Sequence, residues 1–212
     1  MASIEFYFDP SCPFCWITSR WLLQIKQQRD VDINWRQFSL ALKNDELQAS
    51  DGESAHASVH RDSHRIQRVI RQAALSHQAS MIDLYSEFGI RFHIMEQRFD
   101  DDMISEVLAA KGLPAELLAA ADNASLDAAL SAEIDSAIDA AGSDIGVPTI
   151  VFSNKDGQRI GYFGPVLNEL PATLDESLAI WDGLSALATT SSFYELKRSR
   201  PGDPNVFSAA KC

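Results

Sequence analysis

The stretch Phe8-Asp9-Pro10-Ser11-Cys12-Pro13-Phe14-Cys15-Trp16 sets two cysteines at the junction of a strand and a helix. Upstream, Ile4, Phe6 and Phe8 alternate with Glu5, Tyr7 and Asp9, the two-residue period of a strand, and Asp9-Pro10-Ser11 stops it. Downstream, Cys15, Trp16, Ser19, Leu22, Leu23 and Lys26 recur at helical spacing. Ser11 is placed as the cap and Pro13 falls in the first turn, where a missing N–H costs nothing. A thiol at a helix start is chemically special. A free cysteine is only about 3 % ionised at neutral pH, and the unpaired N–H groups and macrodipole of a helix start favour its anion. The first cysteine gains most from this, so Cys12 is the expected nucleophile. Cys15, one turn on, is the expected resolver of a mixed disulfide formed on Cys12. Zinc is the competing use of such a pair, but it takes four ligands, and only Cys212 and five scattered histidines remain. No metal is expected.

Working outward, Val31, Ile33, Trp35 and the run from Gln37 to Leu42 read as a second strand after the Arg29-Asp30 break. The helical crossover between the two strands implies a parallel pair. From about Asn44 to Asn123 the β-branched residues thin out and Ala, Gln, Arg and His rise, which reads as a helical insertion. Within it Asp100-Asp101-Asp102 starts a helix over Met103 to Ala110, Gly112 and Pro114 break it, and Ala115 to Ala121 resumes. Ser125 is read as the cap of the next helix, whose stripe of Leu126, Leu130, Ile134, Ile138 and Ala141 ends at Gly142. Ile150 to Phe152 and Ile160 to Phe163 form a hairpin, and Leu167 to Leu187 a last helix. The expected division is 1–43 and 126–190 for an α/β domain, 44–125 for the insertion, and 191–212 for a tail that lies on the surface or reaches a second copy, as in a homodimer.

At 212 residues with 46 % apolar side chains the chain can bury a real core. Eighteen basic against thirty acidic residues leave a net charge of −12, which repels phosphate backbones and excludes nucleic acid as the main partner. No apolar run reaches the roughly 18 residues of a membrane span. The first ten residues lack the basic, apolar and small-residue pattern of an export signal, so the expected compartment is the cytoplasm. Three cysteines are too few for a disulfide framework, which leaves Cys12 and Cys15 to chemistry and Cys212 as a free thiol at the end of the tail.

The segment from Phe8 to Trp16, the large helical insertion and Val147-Pro148-Thr149 resemble the DsbA-like thioredoxin superfamily in its FrnE-like branch. More narrowly, Ile17-Thr18-Ser19-Arg20-Trp21, Ser39-Leu40-Ala41, Gly89-x-Arg91-x-His93, Phe163-Gly164-Pro165-Val166-Leu167 and Glu195-Leu196-Lys197-Arg198 are similar to the actinobacterial mycothiol-dependent reductases, also called mycothiol-dependent nitroreductases. The resemblance implies an α/β thioredoxin fold with an α-helical insertion and a thiol-disulfide oxidoreductase that uses a Cys-Pro-Phe-Cys dithiol. Its electrons would come from mycothiol as a thiol cosubstrate, with no tightly bound cofactor. Its substrates would be disulfide-containing proteins or small electrophiles. It further implies a cis Pro148, with Val147, Pro148 and Thr149 forming an active-site loop beside Pro13 and Phe14, and the backbone of Val147 presenting the substrate. Trp16, Asn44, Arg91 and His93 would line the substrate site. In the narrower group a Trp stands where this chain has Phe14. The alternatives are a FrnE-like disulfide isomerase and, from another class, a non-catalytic zinc or partner-binding module.

Two further patterns have blander readings. His56, His60 and His64 share a helical face at ligand spacing, but without a His-Glu-x-x-His pattern they read as a solvated face. Arg61, Arg65, Arg68 and Arg71 concentrate positive charge, either to attract a carboxylate-bearing thiol or to balance nearby acids.

Overall fold

The alternation read at residues 4–8 becomes a strand at the centre of a sheet. A computed structural model describes residues 2–49, 54–153 and 157–210. In chain order it comprises β1 (Ala2–Phe8), α1 (Pro13–Gln28), β2 (Val31–Gln37), α2 (Leu40–Lys43), α3 (Ala55–His77) and α4 (Met81–Gly89). A π-helical turn (Ile90–Ile94), α5 (Asp101–Ala110) and two 3₁₀ segments (Ala115–Asp122, Ala124–Leu126) lead into α6 (Asp127–Ala141). Strands β3 (Thr149–Ser153) and β4 (Arg159–Phe163), α7 (Leu174–Ala188) and a 3₁₀ turn (Val206–Ala209) complete it. The chain packs as two units: one holds the residues through Phe8, Cys12–Arg36 and those from Ser136 onward, the other Asp9–Ser11 and Gln37–Asp135.

In the first unit the sheet order is β2-β1-β3-β4. β3 runs antiparallel to β1 with Phe6 opposite Ile150, and antiparallel to β4 with Val151 opposite Gly161. Phe6 and Trp35 meet edge to face at 5.4 Å. Trp181 of α7 lies 6.1 Å from both Trp21 and Phe152, and the Trp21 indole donates to the Ser177 carbonyl at 3.2 Å. One charged cluster is threaded through this core. The Glu5 carboxylate accepts from Arg159, from Arg36 and from the Tyr7 hydroxyl. Burial pushes the Tyr7 phenol up to about 12. Burial also acts to raise Glu5, but the bonds from Arg159 and Tyr7 and the two guanidinium charges hold it below the ordinary carboxylate range.

In the second unit α3, α4, α5 and the first 3₁₀ segment enclose an apolar core that includes Ile66, Val69, Ile70, Leu84, Phe88, Ile104 and Leu108. α5 starts where the acidic triplet predicts, with Asp100 accepting from the Met103 N–H at 2.9 Å. No helix among the described residues is long and apolar enough to cross a membrane.

Several boundaries differ from the sequence reading for identifiable reasons. The second strand stops at Gln37 and does not run to Leu42, because Ser39 caps α2 by accepting from the Leu42 N–H. Ser11 does not cap α1: Cys12 holds the N-cap position, and the Ser11 hydroxyl turns to Asp9. Asn123, not Ser125, caps the short 3₁₀ turn that continues into α6. The segment at 115–122 is 3₁₀ where a resumed α-helix was expected. The last helix begins only at Leu174, after Thr173 accepts from the Glu176 N–H. The expected tail contains ordered structure, since the 3₁₀ turn Val206–Ala209 packs on α1 and buries Ala209. Cys212 lies outside the described residues.

Gly161 of β4 has no room for a side chain. A Cβ there would stand 2.7 Å from the Ala141 methyl and 3.1 Å from α6 backbone atoms. Gly161→Ala is therefore expected to cost about 1–3 kcal/mol, measured as a lower urea midpoint with an unchanged slope; an unaltered midpoint would contradict this packing.

Candidate functional site

The dithiol is organised by α1. Pro13 occupies the first helical position, Cys12 is the N-cap with φ −79° and ψ 114°, and its carbonyl accepts the first helical bond from Trp16 at 3.1 Å. Neither cysteine is in a disulfide; Cys15 is wholly buried and Cys12 only 7 % exposed. The Cys12 thiol donates to the Val147 carbonyl at 3.5 Å. This loop is itself held in place. The Val147–Pro148 peptide is cis, as is Gly164–Pro165. The Pro148 carbonyl accepts from the Gly164 N–H at 2.7 Å, and the Thr149 hydroxyl donates to the Gly146 carbonyl at 2.7 Å. Thr18 of α1 donates to the Pro165 carbonyl at 2.9 Å, which ties the helix to the second proline loop.

The structure thus brings Cys12, Pro13, Phe14, Cys15, Trp16, Val147, Pro148 and Thr149 together in the sheet unit. Trp16 is fully buried, with the Arg20 guanidinium 4.4 Å above its ring. Phe14 is half-buried and carries the Arg200 guanidinium at 4.4 Å. Asn44, Arg91 and His93 belong to the helical unit. Asn44 is exposed at the end of α2. Arg91 pairs with Glu87 and Glu106, so its charge is already compensated. His93, nearly buried in the π-helical turn, donates its Nε2–H to the Pro10 carbonyl at 2.9 Å; a carbonyl can only accept, which fixes the donor.

Sequence reasoning missed the residue that anchors the approach to Cys12. Asp9 is fully buried, and five groups donate to its two oxygens. Oδ1 takes the Ser11 N–H at 2.9 Å, the Ser11 hydroxyl at 2.6 Å and the Ser63 hydroxyl at 2.5 Å. Oδ2 takes the Leu40 N–H at 2.8 Å and the Gln67 amide at 3.0 Å. The available signal was a carboxylate at the end of an apolar strand, three residues before the dithiol; its partners on α3 carry no pattern readable in advance.

Arg65 pairs with Asp101 and Asp122, Arg68 with Asp127, and Arg71 with Glu133, so these three guanidinium groups serve neighbouring acids. Of the three histidines, His60 bonds Glu46 at 2.6 Å and stacks on His56. His64 is buried between Ser39 and Asp127, each at 2.9 Å. Since the Asp127 carboxylate accepts, the neutral ring carries its proton on Nε2, and Nδ1 accepts from the Ser39 hydroxyl. Among the described residues no group of three His, Cys, Asp or Glu side chains is arranged to hold a metal ion.

Comparison with known proteins gives these findings a context. Residues 11–198 match the family described as Rv2466c-like, mycothiol-dependent nitroreductase Rv2466c. The chain is 31 % identical over 209 residues to the uncharacterized protein Rv2286c of Mycobacterium tuberculosis, covering 96 % of this chain and 85 % of that one. Among solved structures it is similar to the probable DsbA oxidoreductase SCO1869 of Streptomyces coelicolor, with TM-score 0.58, 18 % identity and 95 % of both chains covered. It is also similar to the cytosolic disulfide reductase DsbM of Pseudomonas aeruginosa, with TM-score 0.57, 16 % identity, and 87 % of this chain and 99 % of that one covered. The fold is therefore the DsbA-like thioredoxin fold.

Two outcomes test the anchors. Asp9→Asn turns an amide donor toward the donors on one side and is expected to lower unfolding free energy by about 2–4 kcal/mol, read from urea denaturation; a loss below a few tenths would show that the carboxylate is dispensable. Burial and the Arg68 charge hold the His64 imidazole below its ordinary value of 6.5, outweighing the Asp127 carboxylate. The unfolded chain then takes up this proton first, so His64 contributes stability that is whole above about pH 6.5 and lost as pH falls through the folded value. His64→Gln should flatten the stability curve in that window, and an unchanged slope would refute the assignment.

Proposed function

The chain belongs to the Rv2466c-like family, and on that footing we propose that it is a cytoplasmic thiol-disulfide oxidoreductase, working through Cys12 and Cys15 with mycothiol as electron donor. The observation that carries this reading is the pairing of the Cys12 thiol at the start of α1 with the Val147 carbonyl, one helical turn from a second cysteine that is likewise not in a disulfide. The family description supplies the mycothiol dependence, and the DsbA-like fold is consistent with dithiol exchange.

In this mechanism the Cys12 thiol loses its proton and the sulfur attacks one sulfur of a substrate disulfide. A Cys12 mixed disulfide forms, and the other half leaves as a thiolate that takes up a proton. The Val147 carbonyl, which accepts from the Cys12 thiol, is freed as the proton leaves and becomes available to a substrate N–H beside the adduct. Cys15 then gives up its proton and attacks the Cys12 sulfur. The second substrate thiol is released, and the two protein sulfurs are left as a disulfide. Two mycothiol molecules reset the pair by the same exchange and leave as mycothiol disulfide. The substrate gains two electrons and two protons, both drawn from the thiol pool. The burial of Cys15 keeps it from competing for the first attack. Disulfides and small electrophiles are the substrates this arrangement suits, and the net charge of −12 disfavours nucleic acid.

In a Cys212→Ser background, a Cys15→Ser variant incubated with mycothiol disulfide should accumulate a single mixed disulfide on Cys12 by mass spectrometry, and the Cys12→Ser variant none. Absence of any adduct on Cys12, with stoichiometric zinc retained by the wild type instead, would replace this reading with a metal-binding one.

A further inference from the structure

The segment after Phe193 is pinned at both ends. The Tyr162 hydroxyl donates to the Phe193 carbonyl at 3.2 Å. Further on, the Asn205 N–H donates to the Asn168 carbonyl at 2.7 Å, the Asn168 amide to the Asp203 carbonyl at 3.1 Å, and the Leu170 N–H to the Ser208 hydroxyl at 2.9 Å. Between these anchors residues 194–202 are exposed and carry Lys197, Arg198 and Arg200. Their course places the Arg200 guanidinium over the Phe14 ring, 4.4 Å from its centroid. Phe14 is one of the two residues between the cysteines.

What distinguishes Arg200 is its place over Phe14, together with the state of its charge. In the same unit Arg29 pairs with Asp182, and Arg36 and Arg159 with Glu5. Arg200 makes no ion pair with any described carboxylate, and its guanidinium carbon lies over the ring. A guanidinium held over an aromatic ring keeps N–H donors for a planar anion, and the ring contact limits the freedom that such a contact would otherwise cost. In a chain of net charge −12 an uncompensated cation next to the dithiol is a local focus of positive potential.

We propose that Arg200 is a specificity-determining residue of the dithiol site, held over Phe14 to receive the carboxylate of an anionic disulfide as that disulfide meets Cys12. This rests on the thiol-disulfide reading above and adds to it a substrate class, disulfides bearing a carboxylate near the sulfur. Mycothiol is not the anion in question, since Arg200 acts on the substrate that oxidises the pair.

The test uses the reduced full-length protein carrying Cys212→Ser in single turnover, where Cys12 and Cys15 supply both electrons. The protein is mixed with 5,5′-dithiobis(2-nitrobenzoate), which carries carboxylates, or with neutral 2,2′-dithiodipyridine, and second-order rate constants are read from the released chromophores. Arg200→Gln should slow the anionic disulfide about three- to tenfold and leave the neutral one within about a factor of two. Arg200→Lys, which keeps the charge without the planar fork, should fall between. With Arg200 intact the preference for the anionic disulfide should shrink as salt is raised. Equal slowing of both disulfides would show that Arg200 only supports Phe14 and overturn the proposal, as would no change in either. Failure of the Cys212→Ser protein with Arg200 intact to react with either disulfide would instead overturn the dithiol reading itself, so the two failures are told apart.

Discussion

The two oxygens of Asp9, taking five hydrogen bonds in a site closed to solvent, are the constraint on which the Asp9–Ser11 turn of the helical unit depends. A buried carboxylate is costly to desolvate, and it is tolerated only where its lone pairs are met. Here the donors come from three places far apart in sequence: the turn itself, the start of α2 and the middle of α3. One short side chain therefore fixes where the chain leaves β1, and His93 adds a second restraint on the Pro10 carbonyl one residue later. The Asp9–Ser11 segment packs with the helical unit, while Cys12 begins the stretch that packs with the sheet. The peptide bond between Ser11 and Cys12 is thus where the chain crosses from one unit to the other.

The remaining charges follow a consistent pattern. Arg65, Arg68 and Arg71 on α3 neutralise acids within the helical unit, and Glu5 gathers Arg36, Arg159 and Tyr7 within the sheet unit. In each case the ion pair is reinforced by hydrogen bonds, which is the condition under which partly buried charge is sustained. His64 belongs to the same pattern in its neutral form. Its ring bridges a hydroxyl that already caps α2 and a carboxylate that already holds Arg68, so a second proton on it would oppose the Leu42 N–H at Ser39.

Much of this was legible in the residues because it is local. Alternation over Ile4 to Phe8, the proline and two thiols that follow, and the acidic triplet before Met103 each report on their own few neighbours, and each yields the element expected. What could not be read depends on partners distant in sequence. The run from Gln37 to Leu42 looks like strand because Phe38, Leu40 and Leu42 are apolar, yet Ser39 and the Asp9 carboxylate turn the backbone into α2. Asp9 itself gives no hint that Ser63 and Gln67 will meet it. Arg200 lies in a stretch with no periodicity, and its place over Phe14 is set by the Asn168 and Ser208 bonds that tie down the chain beyond it. The resemblance identified the thioredoxin-like loop and its proline, which spacing alone does not.

Gly161 has a bearing on how the sheet assembles. β4 is an outer strand with half-buried side chains, the sort of edge that can pair one residue out of step. A shift in either direction would carry Ile160 or Tyr162 to the point where α6 leaves space for hydrogen alone. The missing side chain thus acts as a key that admits a single alignment of the hairpin, and misaligned pairings are rejected by steric exclusion before any hydrophobic preference is consulted.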